Sequence, residues 1–229
     1  MKKIVILSGA GMSAESGIST FRDSDGLWEN HRVEDVATFD AWRRNPQMVL
    51  DFYNQRRKQL YQVNPNAGHQ ALVKLERKYD VQVVTQNVDD LHERAGSSRV
   101  LHLHGELKKV RSTADESLVY ELEGWELKLG DRCEKGSQLR PHIVWFGEAV
   151  PMIEKATELV TMADVCIVIG TSLNVYPAAG LIHHVKKGNP VYLIDPKANM
   201  MQSSRHMVII AEPAGSGVPK LVEQLLAEA

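Results

Sequence analysis

The segment that most constrains this chain begins at Ile4. A short β-branched run, Ile4 to Leu7, pours into Gly9-Ala10-Gly11-Met12-Ser13-Ala14. An apolar run of this length suits a strand buried on both faces of a parallel sheet. The G-x-G-x-x-A spacing after it lets the backbone turn sharply and approach a pyrophosphate. A nucleotide is the first expectation.

Further strand-like runs appear at Val81 to Thr85, Val100 to Leu103, Val165 to Ile169, Pro190 to Ile194 and Met207 to Ile210. Helical patterns separate several of them, for example Ala67 to Tyr79 and Ile153 to Met162. This βαβ order predicts an α/β protein with a Rossmann-like doubly wound parallel sheet, whose ligands gather at the carboxyl ends of the strands. Those ends carry Thr85-Gln86-Asn87-Val88-Asp89, His104-Gly105-Glu106 and Gly170-Thr171-Ser172 besides the glycine loop, so four strand ends are expected to converge on one cleft. Two segments break the pattern, about 28–64 and 108–140, and are expected to form a smaller subdomain inserted into one catalytic domain whose core is 1–27, 65–107 and 141–229. Within the second, Leu118-Val119-Tyr120-Glu121-Leu122 alternates as a small β element does, forming a hairpin with Trp125 to Leu129; the run from Val218 to Ala229 is spaced as a packing helix.

A net charge of −2 creates no global field for nucleic acid or an anionic membrane, and no run reaches membrane-spanning length. The lysines before Ile4 and the short apolar stretch after them do not make a signal peptide, so a cytoplasmic location is expected. Composition leaves the oligomeric state open. Of the two cysteines, Cys166 sits inside an apolar strand-like run and reads as an inert buried thiol; neither it nor Cys133 reads as a nucleophile.

His102 and His104 alternate with Leu101 and Leu103, so both imidazoles are expected on one face of a strand. A histidine at that strand end suits general-base work near neutral pH. Gln86, Asn87 and Asp89, at another strand end, could grip a carboxamide and ribose hydroxyls.

Taken together, Gly9 to Ile18 with Phe21-Arg22, Thr85-Gln86-Asn87-Val88-Asp89-x-Leu91-His92, His102-x-His104-Gly105, Pro141 to Glu148 and Gly170-Thr171-Ser172 resemble the successive signatures of the sirtuins, NAD-dependent protein lysine deacylases. The resemblance implies a Rossmann-type large domain and a small domain, with NAD and an acyl-lysine protein substrate entering the cleft between them. It places Gly9, Ala10, Gly11, Met12, Ala14, Glu15, Phe21 and Arg22 around the diphosphate and nicotinamide ribose. Gln86, Asn87 and Asp89 fall on the nicotinamide side, Gly170, Thr171, Ser172 and Asp195 on the adenosine side, and Ala214 is a further cofactor contact. His104 matches the catalytic base, which deprotonates a ribose hydroxyl. Val144 to Glu148, with Val144, Phe146, Gly147 and Glu148 as contacts, would pair with the substrate backbone as a strand. Products would be free lysine, nicotinamide and O-acyl-ADP-ribose.

Tyr53 and Arg56, three apart, share a helix face and could converge on one carboxylate; spacing alone fits a solvated surface pair better. The resemblance assigns them to the sirtuin class that prefers succinyl- and malonyl-lysine over acetyl-lysine, a class in which Ala14 widens the acyl pocket. Most sirtuins hold a structural zinc on two C-x-x-C pairs. Here residues 108–140 supply only Cys133, with Ser112 and Gly136 near the places of partners, so no metal is expected and apolar packing must hold the segment. Two other readings use the same motifs: mono-ADP-ribosyl transfer to protein, and a non-catalytic NAD-sensing module.

Overall fold

The computed structural model describes residues 1–19, 27–28, 31–200 and 207–228; Phe21 and Arg22 lie outside them. The first strand, β1 (Lys3–Ser8), occupies the middle of a six-stranded parallel sheet. Both its faces are apolar because both are covered: Ile4 and Ile6 enter one core, Val5 and Leu7 another. There follow β2 (Leu27–Trp28), β3 (His31–Arg32), α1 (Val33–Val36), α2 (Phe39–Arg44), α3 (Pro46–Leu60), α4 (Ala67–Leu75), β4 (Asp80–Thr85), α5 (Leu91–Ala95) and β5 (Val100–His102). The remainder is β6 (Gly105–Ser112), β7 (Val119–Glu121), β8 (Leu139–Ile143), α6 (Ile153–Thr161), β9 (Val165–Ile169), β10 (Val191–Ile194), β11 (Met207–Ile210) and α7 (Ala214–Ala227).

Strand order is β11-β10-β9-β1-β4-β5, with every pairing parallel. The winding reverses at β1: the chain goes out to β4 and β5, then returns to β9 on the other side. A crevice opens beyond the carboxyl ends at such a reversal. Helices α4 and α7 cover the Ile4 face, and α6 covers the Val5 face. Cys166, fully buried in β9, has its thiol pushed up to about 12 by burial and stays protonated. Among the described residues no helix is long and apolar enough to cross a membrane.

The turn after β1 departs from the motif reading. Two single-turn 3-10 helices, Ala10–Met12 and Ala14–Ser16, stand where a long helix usually begins. The glycines answer first to a neighbouring turn. Gly9 N–H donates to Ile169 O at 2.9 Å and Gly11 N–H to Gly170 O at 2.8 Å. A Cβ on Gly9 would lie 2.8 Å from Thr171 Cβ, and one on Gly11 would lie 2.7 Å from Gly170 Cα. Backbone packs on backbone where β1 and β9 end.

A third core joins α1, α2 and α3 to a three-stranded antiparallel sheet, β7-β6-β8. This sheet starts at Gly105 and ends at Ile143, so it takes in residues on both sides of the 108–140 segment. The partner of β7 is β6, not the Trp125 to Leu129 stretch. Nor does apolar packing hold this region alone. Fully buried Arg57 donates from Nε to Leu107 O at 2.6 Å, and from Nη1 to Asn54 Oδ1 at 2.6 Å and Trp125 O at 2.8 Å. Asn54 exchanges two bonds with the backbone of Leu127. Cys133 Sγ donates to Ser112 Oγ at 3.4 Å, and Lys135 pairs with Asp115 at 2.7 Å, so the turns at 112–115 and 133–136 are bridged directly.

Candidate active site

A cavity of about 420 Å³ opens where β1, β4, β9 and β10 end. That is within the usual range for small-molecule and cofactor sites. Gly9, Ala10, Gly11, Ala14 and Glu15 line one wall, and Gln86, Asn87, Asp89 and His104 another. Gly170, Thr171, Ser172 and Asp195 close the far end, while Tyr53 and Arg56 reach in from α3. Val144, Phe146, Gly147 and Glu148 form the rim beside them. Met12 and Ala214 are the exceptions: both are buried in the core with Ile4, and Pro213 lines the cavity where Ala214 was expected. The carboxylate of Glu15 accepts the N–H of Gly215 at the start of α7.

Ser13 links the glycine turn to the loop after β4. Its Oγ donates to Asp89 Oδ2 at 2.9 Å and accepts from Asn87 Nδ2 at 3.1 Å. Burial pushes the Asp89 carboxyl up, against the N–H of Leu91 and the hydroxyl of Ser13, which hold it down. Ser13, between Met12 and Ala14 in the glycine motif, shows this link only in the fold, because a lone serine carries no pattern of its own. Gln86 Nε2 donates to Thr171 Oγ1 at 3.3 Å, and Asp195 Oδ1 accepts the N–H of Lys197 at 2.9 Å.

The two histidines separate. Strand β5 ends at His102, and His104 lies beyond it, so they do not share a strand face. His104 Nδ1 meets the carbonyl of Gln86 at 3.1 Å. A carbonyl only accepts, so Nδ1 carries the hydrogen and Nε2 keeps a lone pair. Burial holds the pKa of His104 below the usual imidazole value despite that carbonyl, leaving the ring neutral. His102 does not line the cavity. It contacts Asn87 O at 3.0 Å and Glu93 Oε1 at 2.7 Å; burial opposes its charge, but the Glu93 carboxylate raises its pKa. A ring donating from both nitrogens has no lone pair for a base.

Tyr53 is fully buried, and its Oη accepts from Trp145 Nε1 at 3.0 Å. An indole N–H only donates, so the phenol proton remains to be offered elsewhere; burial raises its pKa and keeps it on the oxygen. Arg56, 6% exposed, lies 5.8 Å from the Phe52 ring. The 144–148 segment is no strand: Val144 N–H donates to His104 O, Phe146 N–H to Ala37 O, and Trp145 N–H to Glu148 Oε2. Glu148 accepts from Arg140 at 2.7 and 3.0 Å as well as from the Trp145 N–H, and the Trp145 ring centroid lies 3.4 Å from the Arg140 guanidinium.

A Sir2 family model matches residues 9–177, a span running from the glycine turn past Gly170-Thr171-Ser172. The chain belongs to the Sir2 family. Its Sir2 relatives include the NAD-dependent protein deacylase of Helicobacter pylori strain 26695, 57% identical over 226 residues and covering 99% of this chain and 98% of the relative. The NAD-dependent protein deacylase of Bacteroides thetaiotaomicron is 55% identical over 231 residues, covering 99% of each. Among solved structures, a Sir2 homologue in complex with NAD superposes with a TM-score of 0.87 at 41% identity, covering 99% of this chain and 90% of that one. The structural zinc that membership implies does not fit the donors present: residues 108–140 offer one thiol, already bonded to Ser112.

Proposed function

We propose that this chain, an NAD-dependent protein deacylase of the Sir2 family, removes succinyl and malonyl groups from lysine and acts more weakly on acetyl-lysine. The observation that carries the reading is the placement of Tyr53 and Arg56. Both are buried, and both line the cavity that His104 and the glycine turn line. A guanidinium in a site of low exposure interacts best with a carboxylate, which it grips in bidentate fashion. An acetyl group offers no such partner. The neutral phenol of Tyr53 would donate to the same carboxylate.

The donors around the cavity suit NAD. The turns Gly9 to Gly11 and Gly170 to Ser172 line the cavity together with the side-chain amides of Gln86 and Asn87 and the carboxyl of Asp89. When bound, NAD supplies an electrophilic ribose carbon with nicotinamide as its leaving group. Asn87, Ser13 and Asp89 orient the nicotinamide side through their mutual hydrogen bonds. His104, neutral and accepting at Nε2, takes a proton from a ribose hydroxyl. Phe146, half exposed and lining the cavity, would lie against the substrate lysine stem.

Mass-spectrometric turnover of matched acetyl-, malonyl- and succinyl-lysine peptides, with and without NAD, tests the reading. The expected result is NAD-dependent release favouring the acidic chains, with Arg56→Met lowering succinyl turnover at least tenfold while sparing acetyl turnover. Equal losses on both substrates would reduce Arg56 to a packing role.

A further inference from the structure

Beside Tyr53 and Arg56 stands a third side chain that decides which way the phenol can act. Trp145 lines the same cavity, and its Nε1 lies 3.0 Å from Tyr53 Oη. An indole N–H has no lone pair to offer, so at this bond the phenol oxygen accepts and its own proton is turned away from Trp145. An oxygen that already accepts one hydrogen bond is polarised into a stronger donor and a weaker acceptor for a second. That matters next to Arg56, whose charge acts on the Tyr53 hydroxyl more strongly than the charge of Arg140 does. A guanidinium only donates. A phenol left free to accept would draw Arg56 to itself, and two donors suited to one carboxylate would bind each other.

The indole can aim the phenol only if its own position is fixed. The backbone N–H of Trp145 donates to Glu148 Oε2 at 2.8 Å. The Glu148 carboxylate takes Arg140 Nη1 at 2.7 Å and Nη2 at 3.0 Å, and Nη2 also reaches Ile143 O at 3.0 Å. The guanidinium so held lies 3.4 Å from the centroid of the Trp145 ring, and the Trp42 ring lies 5.9 Å away at 34°. Trp145 is 2% exposed. A ring packed in this way cannot swing aside, so the N–H keeps its aim. A ring that only filled space could be phenylalanine, as the next residue, Phe146, is; tryptophan adds a donor at this one place.

We propose that Trp145 is a specificity-determining residue: its indole N–H makes Tyr53 a donor toward the acyl chain, so that Tyr53 and Arg56 together present donors that a carboxylate can use and an acetyl group cannot. The inference rests on the reading of the cavity as a succinyl and malonyl site. Trp145 acts through Tyr53 and is a positioning residue, and the Arg140 and Glu148 pair holds it in place.

Kinetics on matched acetyl- and succinyl-lysine peptides test this in four chains: native, Trp145→Phe, Tyr53→Phe and the double variant. Trp145→Phe keeps a ring beside the guanidinium and removes the donor. It is expected to lower the succinyl-to-acetyl ratio of kcat/KM about fivefold, through the succinyl KM rather than kcat, which is the size of one net hydrogen bond. Added to Tyr53→Phe, the same change is expected to leave the ratio where Tyr53→Phe put it, because the oxygen that the indole orients is gone. An equal fall in both backgrounds, or no fall in either, would overturn the proposal and leave Trp145 as packing. If Trp145→Phe does not fold, 15N–1H spectra of the native enzyme decide. The Trp145 Nε1–H resonance is expected to move downfield on adding succinyl peptide without NAD, as Oη gives its proton to the bound carboxylate, and to hold its place with acetyl peptide. The same response to both peptides would overturn the proposal. A native enzyme without a preference for succinyl-lysine, or one whose preference survives Arg56→Met, would mean instead that the reading of the acyl site has failed.

Discussion

His102 and His104 stand two positions apart and end with opposite protonation, because one meets a carboxylate and the other a carbonyl. The difference has a kinetic consequence. A depressed pKa means that His104 is neutral, and so able to accept a proton, down to lower pH than an ordinary imidazole. The acid limb of kcat/KM is therefore expected below about pH 6.5, the unperturbed histidine value. A profile measured from about pH 5 to 8 checks this; a limb above 7 would point to a different base. His104→Ala is expected to lower kcat by about a thousandfold with NAD affinity retained, measured by turnover and calorimetric titration. Residue type and spacing marked both histidines. The resemblance already singled out His104; the physical reason, the Glu93 carboxylate at one ring and the Gln86 carbonyl at the other, came only with the fold.

At the scale of the element, α3 presents two stripes side by side. Tyr53 and Arg56 turn to the cavity, while Asn54 and Arg57 turn to β6 and the 125–127 stretch, as i, i+3 pairs on neighbouring faces must. Arg57 thus fixes the helix that carries the acyl contacts. Its replacement by Leu would leave the carbonyls of Leu107 and Trp125 and the amide of Asn54 short of a donor in the interior. A loss of about 2–4 kcal/mol is expected from urea unfolding, and the melting temperature should not move on adding a chelator. Gly105 is a second test of the same region. With φ at +83° and His142 O only 2.0 Å from any added Cβ, Gly105→Ala should fold poorly or lose His104 geometry, seen as reduced soluble yield and turnover. The strand alternation at 118–122 was legible from its period. The polar fastening of its surroundings was not, because Asn54 and Arg57 lie fifty or more residues away in the chain from the backbone groups they bind.

For the whole molecule two buried histidines, His69 on α4 and His92 on α5, set an acid limit. Burial depresses both rings, with His69 and His102 adding repulsion at His92 and Glu93 opposing the shift at His69. The unfolded chain binds protons at these sites below about pH 6.5 while the folded one does not until about 4 for His69 and about 3 for His92. Stability is therefore complete above about pH 6.5 and falls as pH drops toward 4, by up to about 1.4 kcal/mol per pH unit for each ring. Urea midpoints across that window should shift, and the shift should shrink in His92→Gln. A flat midpoint would show that the rings are solvated.

By itself the sequence determined the doubly wound sheet and the strand ends that meet in one cleft, because hydrophobic period and glycine spacing are local properties; the resemblance to a known family marked most of the residues that line it. The tertiary structure decided the rest. It assigned Gly9 and Gly11 to a backbone contact with the turn after β9, sent Met12 and Ala214 into the core, and committed Glu148 to Arg140. It also supplied Ser13 as the link between Asn87 and Asp89. Each of these depends on which distant group arrives within hydrogen-bond or van der Waals reach, and that distance is a property of the folded chain rather than of any segment of it.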